Sequence, residues 1–449
     1  MILNSTTSLK KALKPLHVWA IAVGLVISGE YFGWNYGWGV AGTVGFLIST
    51  LLVTVMYVTF IFSFTELTTS IPNAGGPFEY AFRAFGKWGG FVSGYATLIE
   101  FVLAPPAIAF ALGAYVNFLY PALPVVWVAI GSYVIFTGIN LLGIKESATF
   151  SLIVTLLAVA ELLLFIGIVA PSYQTENFMR DSMPYGWQGV FAALPFAIWF
   201  YLAIEGVALV AEEVEDPHRN IPKGYISGIL TLVALALGVM IFTGGIGDWK
   251  KLSNIDYPLP ESIGMVLGKS NSLTKLFAGI GLFGLIASFH SIIIGYSREI
   301  FALARSGFLP AVLSQVHSRT QVPHWALLAG AFVGIVSILS GTTNQVIVLS
   351  VLGAVVMYIM SMFSLFRLRK KEPDMERPYK APFYPLFPLL ALLLSLVSLT
   401  AIVYYNLLLS LLFLSGMLIM AALFYLTDRG KKNNDQYHKL HQEELEHGI

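Results

Sequence analysis

The stretch ISGEYFGWNYGWG, Ile27 to Gly39, puts Glu30, Asn35 and four glycines into the middle of an apolar segment. A carboxylate at bilayer depth costs about 2.5–3.5 kcal/mol on the mildest scale, so its presence there needs a reason. The setting is membranous throughout. Of 449 residues, 57% are hydrophobic and 11% charged, and the mean hydropathy is +0.75, a balance that a water-soluble chain of this length could hardly keep in solution.

Apolar runs of about 20 residues, each long enough to cross a bilayer, recur along nearly the whole chain. They predict about twelve spans, near 16–40, 43–68, 89–119, 124–142, 148–170, 190–212, 223–246, 273–302, 324–341, 344–366, 383–403 and 405–426. The expected fold class is an all-α polytopic membrane protein with polar ends at 1–15 and 427–449. Lys10, Lys11 and Lys14 resemble a signal peptide's basic flank, but no small-residue cleavage site follows, so the first span is expected to stay. All but five of the 26 basic residues fall on the side of the N-terminus, leaving Arg180, Lys250, Lys251, Lys269 and Lys275 opposite. That asymmetry predicts cytoplasmic termini and residence in the plasma membrane, the inner membrane of a bacterium.

Several function classes lose support at this point. The chain has no cysteine and so no disulfide or thiol chemistry, and its net charge of +1 includes no basic stripe for nucleic acid. A phosphate-cradling G-x-x-x-x-G-K-[ST] loop, a Cys/His metal cluster and a nucleophile–base pair are all missing from the sequence. An ATP-driven pump or an enzyme is therefore not favoured, and no cofactor is implied.

Two spans are interrupted. Span one carries Gly29, Glu30, Gly33 and Asn35; span six, in IWFYLAIEGVALVAEEVEDP, carries Glu205 and Gly206. These are equivalent places in two five-helix halves, 16–170 and 190–366, with two further helices at 383–426. Matching interruptions point to an inverted-repeat transporter with its site at the midplane, because unwound backbone in a membrane is tolerated where it lines a cavity. Close helix packing at the glycines is the alternative.

Four segments carry a resemblance: ELTTSIPNAGGPFEYAFRAFG (Glu66–Gly86), EEVEDPHRNIPKG after span six, SREIFALARSGFLP after span eight and RKKEPDMERPYKAP before span eleven. Together they resemble the amino acid–polyamine–organocation superfamily, from about Leu16 to Leu426, and within it the chain is most similar to the ethanolamine permeases. The resemblance implies a five-plus-five inverted-repeat fold with discontinuous helices 1 and 6, and secondary active transport.

Amino acid carriers of this superfamily usually have a small Gly-Ser-Gly-type turn in span one that holds the substrate carboxylate. Here the turn reads Gly33-Trp34-Asn35, which is expected to crowd that pocket, while Glu30 adds negative charge. Both features suit a small cationic amine without a carboxylate, such as ethanolamine. A neutral or cationic amino acid remains the alternative substrate.

Further candidates follow from position. Glu100 in span three could bind the ammonium or carry a coupling proton, or could make a buried hydrogen bond, and Phe101 beside it is a further substrate-binding candidate. Tyr31, Trp199, Phe200 and Ala203 flank the breaks, where an aromatic face can receive an ammonium. Trp199 resembles the family's gate aromatic. Glu205 is expected to gate or to couple protons. His290 matches a substrate-facing position in relatives, and its near-neutral pKa suits proton coupling; a hydrogen bond between helices is the alternative. Glu161 lies one turn past Ala158, the place where some relatives have a lysine standing in for sodium, and is a weaker candidate for coupling. The expected coupling ion is H+. Glu212, Glu213, Glu215 and Asp216 are expected to pair with basic residues of other inner loops, and the proline-rich loops to position helices.

Overall fold

The computed structural model describes residues 11–426, apart from 74, 143–147 and 321; the 427–449 tail and Lys10 lie outside the described residues. Nine helices among the described residues are long and apolar enough to cross a membrane, and Pro15–Val26, Val125–Leu141 and His324–Ser340 are shorter apolar helices. The protein is an all-helical, twelve-span membrane protein of the five-plus-five inverted-repeat kind.

Span 1 comprises Pro15–Val26 and Ser28–Tyr31, a turn at 32–35, and the start of the helix Tyr36–Ser70. That helix bends at Gly42, whose φ of +70° is open to a residue without Cβ, and continues as span 2. Span 3 is Lys87–Leu119, span 4 Val125–Leu141 and span 5 Ala148–Val169. Span 6 runs through Leu194–Trp199, breaks, and resumes at Ile204–Glu213 as a tight 3₁₀ coil. Ten residues is long for that geometry, which usually marks a hinge or strain. Spans 7 to 12 are Pro217–Gly244, Ser272–Arg305, His324–Ser340, Thr343–Lys371, Leu386–Tyr405 and Leu407–Leu426. Span 7 starts earlier than its hydropathy suggests: Pro217 stands in the first turn, where no N–H partner is needed, and Pro222 lies inside the helix.

Span 3 packs along spans 8 and 10, and span 1 along spans 5, 7 and 8. Large aromatics, among them Trp34, Trp38, Tyr57, Tyr201 and Tyr358, fill the middle without solvent exposure. Span 12 turns Leu408, Leu411, Leu418 and Ile419 outward, the expected surface for lipid.

The end of the bundle carrying Pro15 is called lower here. At that end the segment before span 1 pairs with the end of span 6: Ala12 and Leu13 N–H donate to the Glu213 carbonyl at 2.9 and 3.0 Å, and Glu215 N–H donates to Leu13 O at 2.9 Å. The lower halves of the two broken spans are thereby tied together. Glu213 pairs with Arg298 of span 8 at 3.3 Å, whereas Asp216, among the described residues, pairs with Arg219, its exposed helical neighbour, at 3.8 Å.

Two of the quoted motifs meet at this end. Glu66, 1% exposed, accepts from Arg369 Nε and Nη2 at 2.8 and 2.5 Å and from Ala381 N–H at 2.7 Å, with Arg377 at 3.3 Å. Arg83 of the short helix Gly76–Phe85 pairs with Glu372 at 2.6 Å. The proline-rich loop before span 11 thus locks span 2 to span 10. Removing one partner of a buried ion pair costs about 3–5 kcal/mol, because the other charge is left uncompensated. Glu66→Ala should accordingly lower the melting temperature of the detergent-solubilised protein markedly; a melting temperature at the parental value would show the clamp to be without energetic consequence.

Candidate substrate site

The break in span 1 is built by Phe32, extended at φ −164°, and Gly33 at φ +90°. Only glycine adopts the latter freely, and a Cβ at Gly33 would also strike the Trp199 ring. Gly29 lies against the Trp199 carbonyl with no room for a side chain. Trp199 therefore sits across the turn, where its Nε1–H donates to the Phe32 carbonyl at 3.1 Å and its ring meets Phe32 edge-on at 5.6 Å. Span 6 breaks immediately after it, and Ala203 takes a left-handed φ of +76° before the 3₁₀ coil begins. Both breaks fall where the sequence reading puts them.

Between spans 1, 3, 6 and 8 lies a cavity lined by Ser28, Gly29, Ala104, Ile108, Trp199 and Ile292. It measures about 10 Å³, room for about one water, so the bundle is closed around this point. Ser288 of span 8 holds the lower half of span 1 beside it: its hydroxyl donates to Gly24 O at 2.7 Å and accepts from Ser28 N–H at 3.1 Å.

The acids differ in their surroundings. Glu30 is fully buried, and neither carboxyl oxygen has a hydrogen-bond partner among the described residues; the Tyr31 and Tyr201 phenols are near it. Glu161 accepts from the Tyr31 hydroxyl at 2.7 Å, with the Ala158 carbonyl 3.2 Å from the same hydroxyl. The tyrosine thus reaches across from span 1 to the place beside Ala158. Glu100 faces the Glu205 carboxyl, and Glu205 accepts from Tyr358 at 3.3 Å, whose hydroxyl is 2.7 Å from that of Tyr57. Glu299 of span 8 is also buried, and neither of its carboxyl oxygens has a hydrogen-bond partner among the described residues. In sequence Glu299 carries no signal of this, since it follows Arg298 and looks like the start of a charged loop.

Three expectations need correction. His290 lies two residues from both Ser288 and Ile292, about 200° around the helix from the face that meets span 1. It packs instead on span 4, with Nδ1 3.2 Å from Asn140 Nδ2 and its ring 5.9 Å from Phe136, so the hydrogen bond between helices is the reading the geometry favours. Phe101 fills the space over Gly206 and Gly295 and acts as packing between spans 6 and 8. Trp34 does not cover the turn: its ring stacks on Phe200 at 5.7 Å and meets Trp38 edge-on at 4.8 Å, and its Nε1 donates to Glu30 O at 3.1 Å.

Asn35 occupies the turn instead. Its Oδ1 accepts from Gly33 N–H at 3.0 Å, and its Nδ2 donates to the Leu252 and Ile255 carbonyls at 2.6 and 2.8 Å. Those carbonyls belong to the upper loop between spans 7 and 8. Asp256 in the same loop accepts from the Tyr36 hydroxyl at 2.6 Å and from Thr343 of span 10 at 2.9 Å.

A model of the family described as "Amino acid permease" matches residues 17–439. The chain belongs to the amino acid permease family. It is 29% identical to an uncharacterized transporter of Rhizobium meliloti, over 84% of this chain and 83% of that one. Two Bacillus subtilis proteins are also similar: the branched-chain amino acid permease BcaP, 25% identical over 84% of each chain, and a methylthioribose transporter, 24% identical over 85% and 86%.

The upper loop of the permease should respond to protons. Burial pushes the Asp256 carboxyl above its ordinary range, against the opposing effect of the Tyr36 and Thr343 hydroxyls. A carboxyl with a raised pKa in the docked state makes docking take up a proton, so docking is strongest at low pH and weakens as pH rises through the raised value. A spin label on a single cysteine replacing Lys251, in a chain that has no other cysteine, should gain mobility as pH rises above the ordinary carboxylate range. Asp256→Asn should abolish that dependence; a mobility independent of pH in the parental loop would contradict it.

Proposed function

We propose that this permease is a secondary active transporter that imports ethanolamine or a closely related small cationic amine by alternating access. The observation that carries the reading is Glu30: a wholly buried carboxyl group with no donor and no cation paired to it among the described residues, beside the break in span 1. A bare carboxylate in a low-dielectric interior is strongly unfavourable, and an ammonium brought in by the substrate is a counter-charge of the right sign. Tyr31, Tyr201, Phe200 and Trp199 surround the breaks with aromatic faces that can receive the same cation.

The two repeats, 16–170 and 190–366, each contribute one break, and the membrane of residence in this reading is the bacterial plasma membrane with cytoplasmic termini. Proton coupling fits the neighbouring Glu100 and Glu205 carboxyls, both buried at membrane depth, since two like charges so placed disfavour joint ionisation. Glu161, bonded to Tyr31 beside the turn, is a further coupling candidate.

A second reading, transport of an amino acid, is favoured by the similarity to BcaP and to the aromatic amino acid transport protein AroP of Salmonella typhimurium. The relative that transports methylthioribose supports a wider range of substrates within the family. Binding titrations with ethanolamine and serine separate the two readings. Glu30→Gln should weaken ethanolamine binding at least about tenfold, equivalent to about 1.4 kcal/mol. Unchanged affinity would remove Glu30 from recognition, and tighter binding of serine than of ethanolamine by the parental protein would favour the amino acid reading.

A further inference from the structure

A backbone N–H freed by unwinding at membrane depth must find an acceptor, and leaving it without one is costly. In a transporter whose substrate carries a carboxylate, that carboxylate is the natural acceptor for amides of the unwound segment. Here the Gly33 N–H already has one inside the chain. Asn35 Oδ1 accepts it at 3.0 Å, two residues along, in a side chain with no solvent exposure.

The carboxamide cannot readily turn aside. Its Nδ2 is engaged by two carbonyls, Leu252 O and Ile255 O, at 2.6 and 2.8 Å, and a flip would set Oδ1 against both. The loop supplying those carbonyls is itself anchored, through Asp256, to Tyr36 and Thr343. An aspartate at position 35 could cap Gly33 but could not donate to the loop, and an alanine or a glycine could do neither. Asparagine has the acceptor and the two donors that this position uses.

We propose that Asn35 is a specificity-determining residue: its carboxamide oxygen stands where a substrate carboxylate would bind Gly33 N–H, so that amines without a carboxylate are admitted and amino acids are turned away. This inference rests on the amine reading and deepens it. Discrimination arises because a carboxylate entering the turn must either displace a satisfied internal acceptor or stay without its own donor.

Ethanolamine and serine are the matched probes, since serine is ethanolamine with a carboxylate on the carbon bearing the amine. Competition binding of both to the purified full-length protein gives the ratio of their affinities. In Asn35→Ala the ratio should move towards serine by at least about tenfold. Asp256→Ala removes the acceptor that anchors the same loop to Tyr36 and Thr343 while keeping the Asn35–Gly33 bond, and its ratio should stay within about threefold of the parental one. An unshifted ratio in Asn35→Ala, or an equal shift in Asp256→Ala, would overturn the assignment. If Asn35→Ala does not fold, hydrogen–deuterium exchange of the parental protein decides: Gly33 N–H should be protected without ligand and gain nothing from ethanolamine, and protection that requires ligand would overturn the proposal. A parental protein that prefers serine refutes the amine reading itself, which is a different failure from an unshifted ratio in the variant.

Discussion

Inside a bilayer every peptide group needs a partner, and this fold breaks two helices at the depth where partners are scarcest. The turns at 32–35 and 200–203 persist because each borrows from elsewhere in the chain. Trp199 of one break supplies a donor to Phe32 of the other, and Asn35 supplies an acceptor to Gly33 and two donors to the loop above. Ser288 does the same for the lower half of span 1. The two breaks are therefore one structure, and Gly29 and Gly33 are small because Trp199 lies against both.

That interdependence constrains motion as well. Below the breaks, residues 12–13 are bonded to 213 and 215, so the lower halves of spans 1 and 6 are joined, and the Arg298–Glu213 pair attaches them to span 8. Above the breaks, Asn35, Tyr36 and Asp256 attach the upper half of span 1 to the loop and to span 10. A cavity with room for about one water lies between these two sets of fastenings. Opening to either side requires one set to release while the other holds, the behaviour expected of alternating access.

The spans and both breaks were legible in the sequence because length, hydropathy and misplaced polar residues are local signals. Which way each residue faces was not. In a membrane the lipid face and much of the interior face are both apolar, so His290 carries no mark of pointing at span 4 rather than span 1. The bulk of Trp34 is visible in sequence and suggests crowding of the turn, whereas its stacking partner, Phe200, is not visible there. Asn35 acts through Leu252 and Ile255, more than two hundred residues away, and Glu299 through a helix that continues past its arginine to Arg305. The Glu66 clamp was half legible: both motifs were noticed, and only the fold brings Glu66 to Arg369 and Arg377.

The chemistry of the proposed site turns on buried acids that no cation neutralises among the described residues. In the proposed reading Glu30 serves the substrate cation, and Glu100 and Glu205 the coupling proton. Uptake of labelled ethanolamine into proteoliposomes, challenged with unlabelled ethanolamine, alanine and arginine, tests that account most directly. Inhibition by ethanolamine alone, driven by an inward proton gradient, is the result the account predicts. Absent ethanolamine uptake, or stronger inhibition by either amino acid than by ethanolamine, would contradict it.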